Sequence, residues 1–115
     1  MTLVNLTPHA LNIYTDAGQI ELAPSGQLAR VRSHSAVCPP ADGIPVVRPT
    51  FTEVEGLPDP QPDTYYVVSG LIQSALRAQG IYRSDVLAPG TGPNDGAVRC
   101  PHTGQVRGVT RLLAL

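Results

Sequence analysis

The stretch Thr64–Thr91, TYYVVSGLIQSALRAQGIYRSDVLAPGT, decides the fold of this chain. It opens with aromatic and β-branched residues, which are typical of a strand. Apolar residues at helical spacing follow over Leu71–Gln79, between Ser69, which can cap a helix, and Gly80, which can end one. Ile81–Ala88 then resumes extended structure and leads into a loop rich in glycine and proline. The stretch therefore predicts a strand, a helix, a strand and a long loop.

The rest of the composition indicates a β-rich fold. The chain has 115 residues, which fits a single domain over residues 1–115. Eleven glycines and 12 prolines separate short apolar runs, a pattern of turns between strands. We therefore predict an α+β fold: a mostly antiparallel, curved sheet or a small barrel, with one helix packed on it at residues 71–79.

Charge and composition argue against several classes of partner. A net charge of −1 provides no basic field for nucleic acid or an anionic membrane, and one Phe with no Trp provides few stacking platforms. No apolar run is long enough to span a bilayer. The first residues lack the features of a signal peptide, and two cysteines fit a reducing compartment. We expect no nucleic acid, no membrane and no cofactor, and a cytoplasmic location in a host cell.

Several further elements are predicted from alternation and turn residues. Ser33–Gly43, with its Pro39-Pro40 pair, is predicted as a loop, and Gly56–Asp63, with three prolines, as an extended unpaired connector. The apolar tail Leu112–Leu115 needs burial, which favours a homodimer. The remaining predicted strands are Leu3–Leu6, the hairpin Ala10–Thr15 with Gln19–Leu22, Gln27–Arg32, Ile44–Arg48 with Thr50–Val54 as its possible partner, and a last hairpin of Ala97–Cys100 with Gln105–Leu115.

Polar residues alternate in the N-terminal segment NLTPH, where Asn5, Thr7 and His9 would point to one side of an extended chain. Three readings are open. The segment can be a turn that satisfies its own backbone, a set of ligand contacts, or a site in which His9 is a general base.

The strand–helix–strand unit holds further candidate ligand contacts. Ser69 and Gly70 begin the helix, where unpaired N–H groups favour an anion, although Ser69 can also be a simple cap. Arg83 can bind an anion or pair with Asp85. Gly90 and Thr91 open a glycine-rich loop (Gly90, Gly92 and Gly96) that either closes over a ligand or only forms turns.

Metal and nucleophile chemistry receive little support. His34, Cys38, Cys100 and His102 lack the ligand spacing that is usual for zinc, so we predict no metal site. No nucleophile elbow and no paired helical carboxylates occur, so we assign no catalytic residues, and the sequence favours a protein without catalytic activity.

The chain resembles a family of small proteins encoded by tailed phages and prophages, most of them without an assigned function. Five segments carry the resemblance: NLTPH (Asn5–His9), APSGQLARV (Ala23–Val31), GIPVVR (Gly43–Arg48), VEGLPDPQPDTYYVVS (Val54–Ser69) and RSDVLAPGTGP (Arg83–Pro93). The resemblance implies an accessory role in an infected or lysogenic cell and supplies no catalytic mechanism.

These observations together predict a non-catalytic binder of a small polar or anionic molecule. Arg48, Arg83 and the helix start at Ser69 would hold anionic groups, while the NLTPH side chains read polar ones. A nucleotide-type host signal, sequestered as counter-defence, follows from the phage resemblance alone. Two alternatives remain: an inhibitor that binds a host enzyme through a strand edge or the proline connector, and a small hydrolase or lyase that uses His9.

Overall fold

The computed structural model describes residues 1–115, except for the side chain of Phe51. Strands account for 47% of the chain, and the described residues form one short helix, so the fold is α+β. No helix in the described chain has the length and apolar character needed to cross a bilayer. The elements are β1 (Thr2–Asn5), β2 (Leu11–Thr15), β3 (Gly18–Leu22), β4 (Arg30–Ala41), β5 (Ile44–Glu55), β6 (Thr64–Val67), α1 (Gly70–Ala78), β7 (Val86–Pro89), β8 (Val98–Arg99), β9 (Val106–Gly108) and β10 (Leu112–Ala114).

A four-stranded sheet in the order β1-β6-β7-β10 forms the centre of the molecule. β1, β6 and β7 run parallel, and β10 is antiparallel to β7. Alternation places Tyr66, Val68 and Val86 on the face that packs against Ile72 and Leu76 of α1. This buried cluster is the hydrophobic core.

Local sequence explains both ends of α1. The Ser69 hydroxyl oxygen accepts a hydrogen bond from the Ile72 N–H at 3.3 Å. At the other end Gly80 adopts a φ of 75°, which glycine tolerates without strain. The Gly80 N–H donates to the Arg77 carbonyl at 3.0 Å and the Ile81 N–H to the Leu76 carbonyl at 2.9 Å, which is the Schellman pattern. The predicted helix, its cap and its terminating glycine are all confirmed.

Removing the cap gives a first testable prediction. We expect Ser69→Ala to lower the free energy of unfolding by about 1 kcal/mol, because the Ile72 N–H loses its acceptor. Ser69→Asp keeps an acceptor at the same place and should unfold at the urea concentration of the wild type or slightly above it. Equal stability of the alanine and aspartate variants would show that the cap contributes nothing.

Two short hairpins flank the central sheet. β2 and β3 pair antiparallel around a turn at Asp16-Ala17, as the sequence predicts. The predicted last hairpin is confirmed only in part: β8 pairs with Val106–Gly108, whereas Leu112–Ala114 of the predicted second strand pairs with β7 instead. The expected single curved antiparallel sheet or small barrel does not form, because the described strands divide among four separate sheets and the central one is mixed. The central sheet is mixed because the crossover through α1 makes β7 parallel to β6, whereas β10 pairs antiparallel to β7.

The predicted loop at Ser33–Gly43 is wrong, because this segment belongs to a long antiparallel hairpin made by β4 and β5, which we call the arm. Its tip is the two-residue turn Asp42-Gly43, with φ of 49° and 75°, as a type I′ turn requires. Thr50–Val54 does not pair with Ile44–Arg48, since both lie in β5 and pair with β4. The prolines are tolerated because a two-stranded hairpin leaves one edge of each strand unpaired.

The arm gives the molecule an extended shape. Its base packs on the core through Val31 and Val54, whereas every residue from Pro39 to Thr50 is exposed. The radius of gyration is 16.5 Å, compared with about 13 Å for a compact chain of this length. The tail Leu112–Leu115, in contrast, is used within the chain: β10 pairs with β7, and Leu115 packs against the core. The tail therefore no longer supports the predicted homodimer.

Candidate functional site

The topology distributes the predicted site residues among three places. Because β1, β6 and β7 are parallel, the residues that follow them lie at one edge of the sheet, the carboxyl edge, and those that precede them lie at the opposite, amino edge. The carboxyl edge holds Asn5, Thr7, His9, Ser69, Gly70, Gly90 and Thr91, and the amino edge holds Arg83 and Asp85. Arg48 lies at neither edge. It is exposed on the arm, six positions beyond Val54 along β5, which is about 20 Å at the usual rise per residue.

The side chain of Asn5 has a structural role at the carboxyl edge, where it bonds to the backbone of nearby segments. Its side chain is buried, and its amide nitrogen donates to the carbonyl oxygens of His9 at 2.8 Å and Leu22 at 3.0 Å. Its amide oxygen accepts from the Thr7 N–H at 3.0 Å, and the Thr7 hydroxyl lies 2.6 Å away. These contacts join the ends of β1 and β3, so they correspond to the structural reading of the NLTPH segment.

The other carboxyl-edge candidates also make internal bonds. The Ser69 oxygen caps α1, and the buried Gly90 donates its N–H to the Arg111 carbonyl at 3.0 Å. The Thr91 carbonyl accepts from Arg99 Nη2 at 2.8 Å. His9 makes hydrogen bonds only through its backbone carbonyl among the described residues. A side chain at Gly70 would meet open space, whereas at Gly90 that space is occupied by Arg111 and Asp95.

Arg83 and Asp85 form a partly buried ion pair at the amino edge. Arg83 Nε donates to Asp85 Oδ1 at 3.0 Å and Nη2 to Oδ2 at 2.7 Å, with side-chain exposures of 18% and 15%. The hydrogen bond from Arg83, together with its charge, lowers the pKa of Asp85 below its ordinary value, although burial opposes this. Arg83 Nη2 also donates to the Pro58 carbonyl at 2.9 Å. The pair therefore holds the proline connector Gly56–Asp63 against the body of the protein.

A cleft of about 420 Å³ opens beside this ion pair. We call it the amino-edge cleft. Tyr65 lines it, whereas the next residue, Tyr66, is buried in the core, as strand alternation requires. The full lining is Pro60, Gln61, Asp63, Thr64, Tyr65, Tyr82, Arg83, Ser84 and Asp85.

Three important residues of this cleft were not among the sequence candidates. Tyr82 is 69% exposed, and Gln61 and Asp63 come from the proline connector. Asp63 has a φ of 52°, an unusual conformation for a residue other than glycine that Asp tolerates better than most. In the sequence, Asp63 stands directly before the predicted strand at Thr64, and Tyr82 stands next to the candidate Arg83. These two positions were the signal by which the cleft could have been found.

Charge in the cleft is set by Asp63. Arg83 and Asp85 neutralise each other, and among the described residues Asp63 has no ion-pair partner. Arg83 Nη1 makes no hydrogen bond to a described residue, so it can still donate to a ligand. The cleft thus offers one carboxylate, one guanidinium nitrogen, an amide, hydroxyl groups and two aromatic rings.

The other reactive side chains do not assemble into a metal centre. No group of three His, Cys, Asp or Glu residues in the described part of the chain could hold a metal ion. Cys100 is a free thiol, and hydrogen bonds from Thr103 and from nearby backbone N–H groups lower its pKa to about 7. A second cleft of about 450 Å³ at the base of the arm is lined by Gln27, Leu28, Gly56, Leu57 and Pro58, and it offers only one polar side chain.

A function for this chain has to be inferred from the cleft, because comparison with known proteins found no match. No protein-family model matches this chain, and no curated protein and no solved structure matches it either.

Proposed function

We propose that this protein is a non-catalytic binding protein that holds a small polar molecule in the amino-edge cleft. The observation that carries the proposal is the composition of that cleft, in which Tyr65, Tyr82, Asp63 and Arg83 meet. Its volume of about 420 Å³ falls within the usual range for small-molecule sites. Aromatic rings beside a few polar groups are the usual lining of such sites.

The charges favour a neutral or cationic ligand over an anionic one. Asp63 is the unpaired charge of the cleft, and it would repel a phosphate or carboxylate. A planar molecule with a hydrogen-bond donor could stack on Tyr82, donate to Asp63 and accept from Arg83 Nη1. A nucleotide-type signal would have to present its base or its sugar to this cleft, with its phosphates in solvent.

Rigid walls support binding as the role of the cleft. The proline connector forms one wall, and it is held by the Arg83 bond to Pro58 and by the Tyr66 hydroxyl, which donates to the Asp59 carbonyl at 3.3 Å. A site that is held in place loses little entropy when a ligand binds. Ser84 provides the one serine hydroxyl of the lining, and no histidine lines the cleft. The cleft therefore lacks the usual pair of nucleophile and base.

The resemblance to phage proteins supports a cellular role for this binding. We propose sequestration of a small host molecule during infection or lysogeny as that role. The two alternatives have less support from the geometry. The proline connector is fixed to the body by the Arg83 bond to Pro58, and no described carboxylate or arginine pairs with the His9 ring.

Native mass spectrometry tests the proposal directly. After incubation with a heat-cleared cell extract, the wild-type chain should carry a discrete added mass. The adduct should be lost in the double variant Asp63→Asn, Tyr82→Ala and kept in Arg48→Ala, which changes an exposed residue far from the cleft. An adduct that survives the double variant would place binding elsewhere and overturn the assignment.

A matched pair of probes tests the predicted charge preference. Adenosine and adenosine monophosphate differ by one phosphate, and backbone amide shifts of Asp63 and Thr64 would report binding of either. We expect adenosine to bind about tenfold more tightly, which corresponds to about 1.4 kcal/mol, and Asp63→Asn to reduce that preference. Tighter binding of the monophosphate would contradict the charge argument.

A further inference from the structure

The pairing between β6 and β7 stops short of the first residue of β6. In a parallel sheet the backbone groups of successive residues point alternately to the two neighbouring strands. The Thr2 N–H donates to the Asp63 carbonyl at 2.7 Å on the β1 side, so the N–H and C=O of Thr64 point to the β7 side. On that side the pairing begins only at the Tyr66 N–H, which donates to the Asp85 carbonyl at 2.8 Å.

The backbone N–H and C=O of Thr64 are therefore left without a partner among the described residues. The Thr64 hydroxyl donates elsewhere, to the Pro62 carbonyl at 3.0 Å. Thr64 is half-buried, and it lines the amino-edge cleft together with Ser84 and Asp85, which face it from the lead into β7. Backbone groups that are withdrawn from bulk water normally have partners, so this donor and this acceptor are available to a ligand in the cleft.

We propose that the ligand of the amino-edge cleft is a planar heterocycle with a hydrogen-bond donor next to an acceptor on one edge, as in a nucleobase, and that this edge pairs with the backbone of Thr64. The ligand acceptor receives the Thr64 N–H, and the ligand donor binds the Thr64 carbonyl oxygen. This inference rests on the proposed function and specifies the chemical class that the cleft selects.

The backbone pair favours such an edge over a simple charged group. The N–H and C=O of one extended residue lie side by side, and in an antiparallel sheet two such residues exchange both bonds. A ring with a donor next to an acceptor presents the same two complementary groups in one plane. An ionised carboxylate has only acceptors and an ammonium group only donors. Either of them would leave one backbone group of Thr64 unpaired, which costs binding free energy.

The side chains around Thr64 favour a heterocycle over an aliphatic amide. Tyr82 is 69% exposed, so its ring offers a face on which a planar molecule can stack. The carboxylate of Asp63 can accept from a second donor, such as the other hydrogen of an exocyclic amine. An aliphatic amide could fill the backbone pair, but it would leave the aromatic ring without a stacking partner.

Amide hydrogen exchange tests the structural premise in the protein alone. The Thr64 N–H should exchange as an unprotected amide, because it has no acceptor in the protein. The Tyr66 N–H is the matched control, since it lies on the same side of β6 and is bonded to the Asp85 carbonyl. It should exchange at least about a hundredfold more slowly. Equal protection of the two amides would overturn the inference.

Two matched pairs of neutral nucleosides test the pairing itself. The first pair is adenosine and dimethyladenosine, whose exocyclic amine carries two methyl groups and cannot donate. The second pair is uridine and methyluridine, in which a methyl group replaces the hydrogen of the ring N–H. Titrations followed by the amide shifts of Asp63 and Thr64 should show binding at least about tenfold weaker for the methylated member of a pair. The parent nucleoside should also slow exchange of the Thr64 N–H.

The outcomes separate this inference from the proposed function. If the methylated nucleosides bound the cleft as tightly as their parents, the edge would not be read, and only this inference would fail. If no nucleoside bound, while the extract adduct was still lost in the double variant Asp63→Asn, Tyr82→Ala, the ligand would belong to another chemical class, and again only this inference would fail. An adduct that survived the double variant would overturn the proposed function and this inference with it.

Discussion

Asn5→Asp is expected to lower the free energy of unfolding by about 4 kcal/mol, although the two side chains have nearly the same shape. The change replaces the amide nitrogen that donates to the carbonyls of His9 and Leu22 with an oxygen that can only accept. A carboxylate would then be buried against two carbonyl oxygens at a position that is 1% exposed. Urea denaturation of the wild type and the variant measures the difference.

The same substitution at Asn12 is the control for Asn5. Asn12 is only half-buried, and its amide donates to the Arg107 carbonyl over a long 3.4 Å, so Asn12→Asp should cost less than about 1 kcal/mol. If Asn5→Asp were as stable as the wild type but lost a bound ligand, the NLTPH segment would be a site after all. A large loss of stability would instead assign Asn5 to the structure.

Breaking the Arg83–Asp85 pair is expected to lower the free energy of unfolding by about 2–3 kcal/mol. This loss lies between the small contribution of an exposed ion pair to the free energy of unfolding and the larger loss that follows when one partner of a fully buried pair is removed. Asp85→Asn removes the charge and keeps the shape, so the loss reports the interaction with Arg83. Chemical denaturation at pH 7 measures it. Arg83→Ala should cost at least as much, because it also frees the Pro58 carbonyl and with it the proline connector.

An exposed ion pair elsewhere provides the comparison for Asp85→Asn. Glu55→Gln breaks the bond from Arg32 on the arm, where side-chain exposures of 62% and 49% let water screen the charges, and it should cost less than about 1 kcal/mol. Arg83→Ala combined with Asp85→Asn should cost less than the two single changes added together, since the two residues contact each other. Fully additive losses would contradict a direct interaction.

The effect of Asp85 should depend on pH in a defined direction. Its pKa in the folded protein is lowered, chiefly by the hydrogen bond from Arg83. Its contribution is therefore complete above the ordinary carboxyl pKa of 3.8 and is lost as the pH falls through the lower folded value. The wild type should accordingly lose its advantage over Asp85→Asn in acid, below pH 3.8, and keep it unchanged between pH 5 and 8.

Much of the local structure followed from short-range patterns. Ser69 and Gly80 mark the ends of α1 because a cap and a positive φ each depend on only a few neighbouring residues. The β2–β3 hairpin and the alternation of Tyr65 and Tyr66 were equally predictable, since period two holds along any strand. The arm is not predicted from the sequence because the Pro39-Pro40 pair indicates a loop, although Asp42-Gly43 between apolar residues is a hairpin signal.

The position of the candidate site depended on contacts between distant parts of the chain. Arg48 and Arg83 were expected to share a ligand, yet one is exposed on the arm and the other pairs with Asp85. Asn5 was recognised as polar, but its partner at Leu22 could not be identified from its own segment. Asp63 and Tyr82 come together only because β6 and β7 align in parallel.

The sequence by itself therefore determined the α+β class, the helix with both its ends, and the polar positions worth testing, because these depend on propensities and spacings within a few residues. Only the tertiary structure decided that the side chains of Asn5, Thr7 and Ser69 are bonded internally, that a cleft opens at the amino edge, and that the arm extends beyond the core. The physical reason is that strand pairing and the burial of polar groups are set by which distant segments meet, and a single sequence contains no direct record of those pairings.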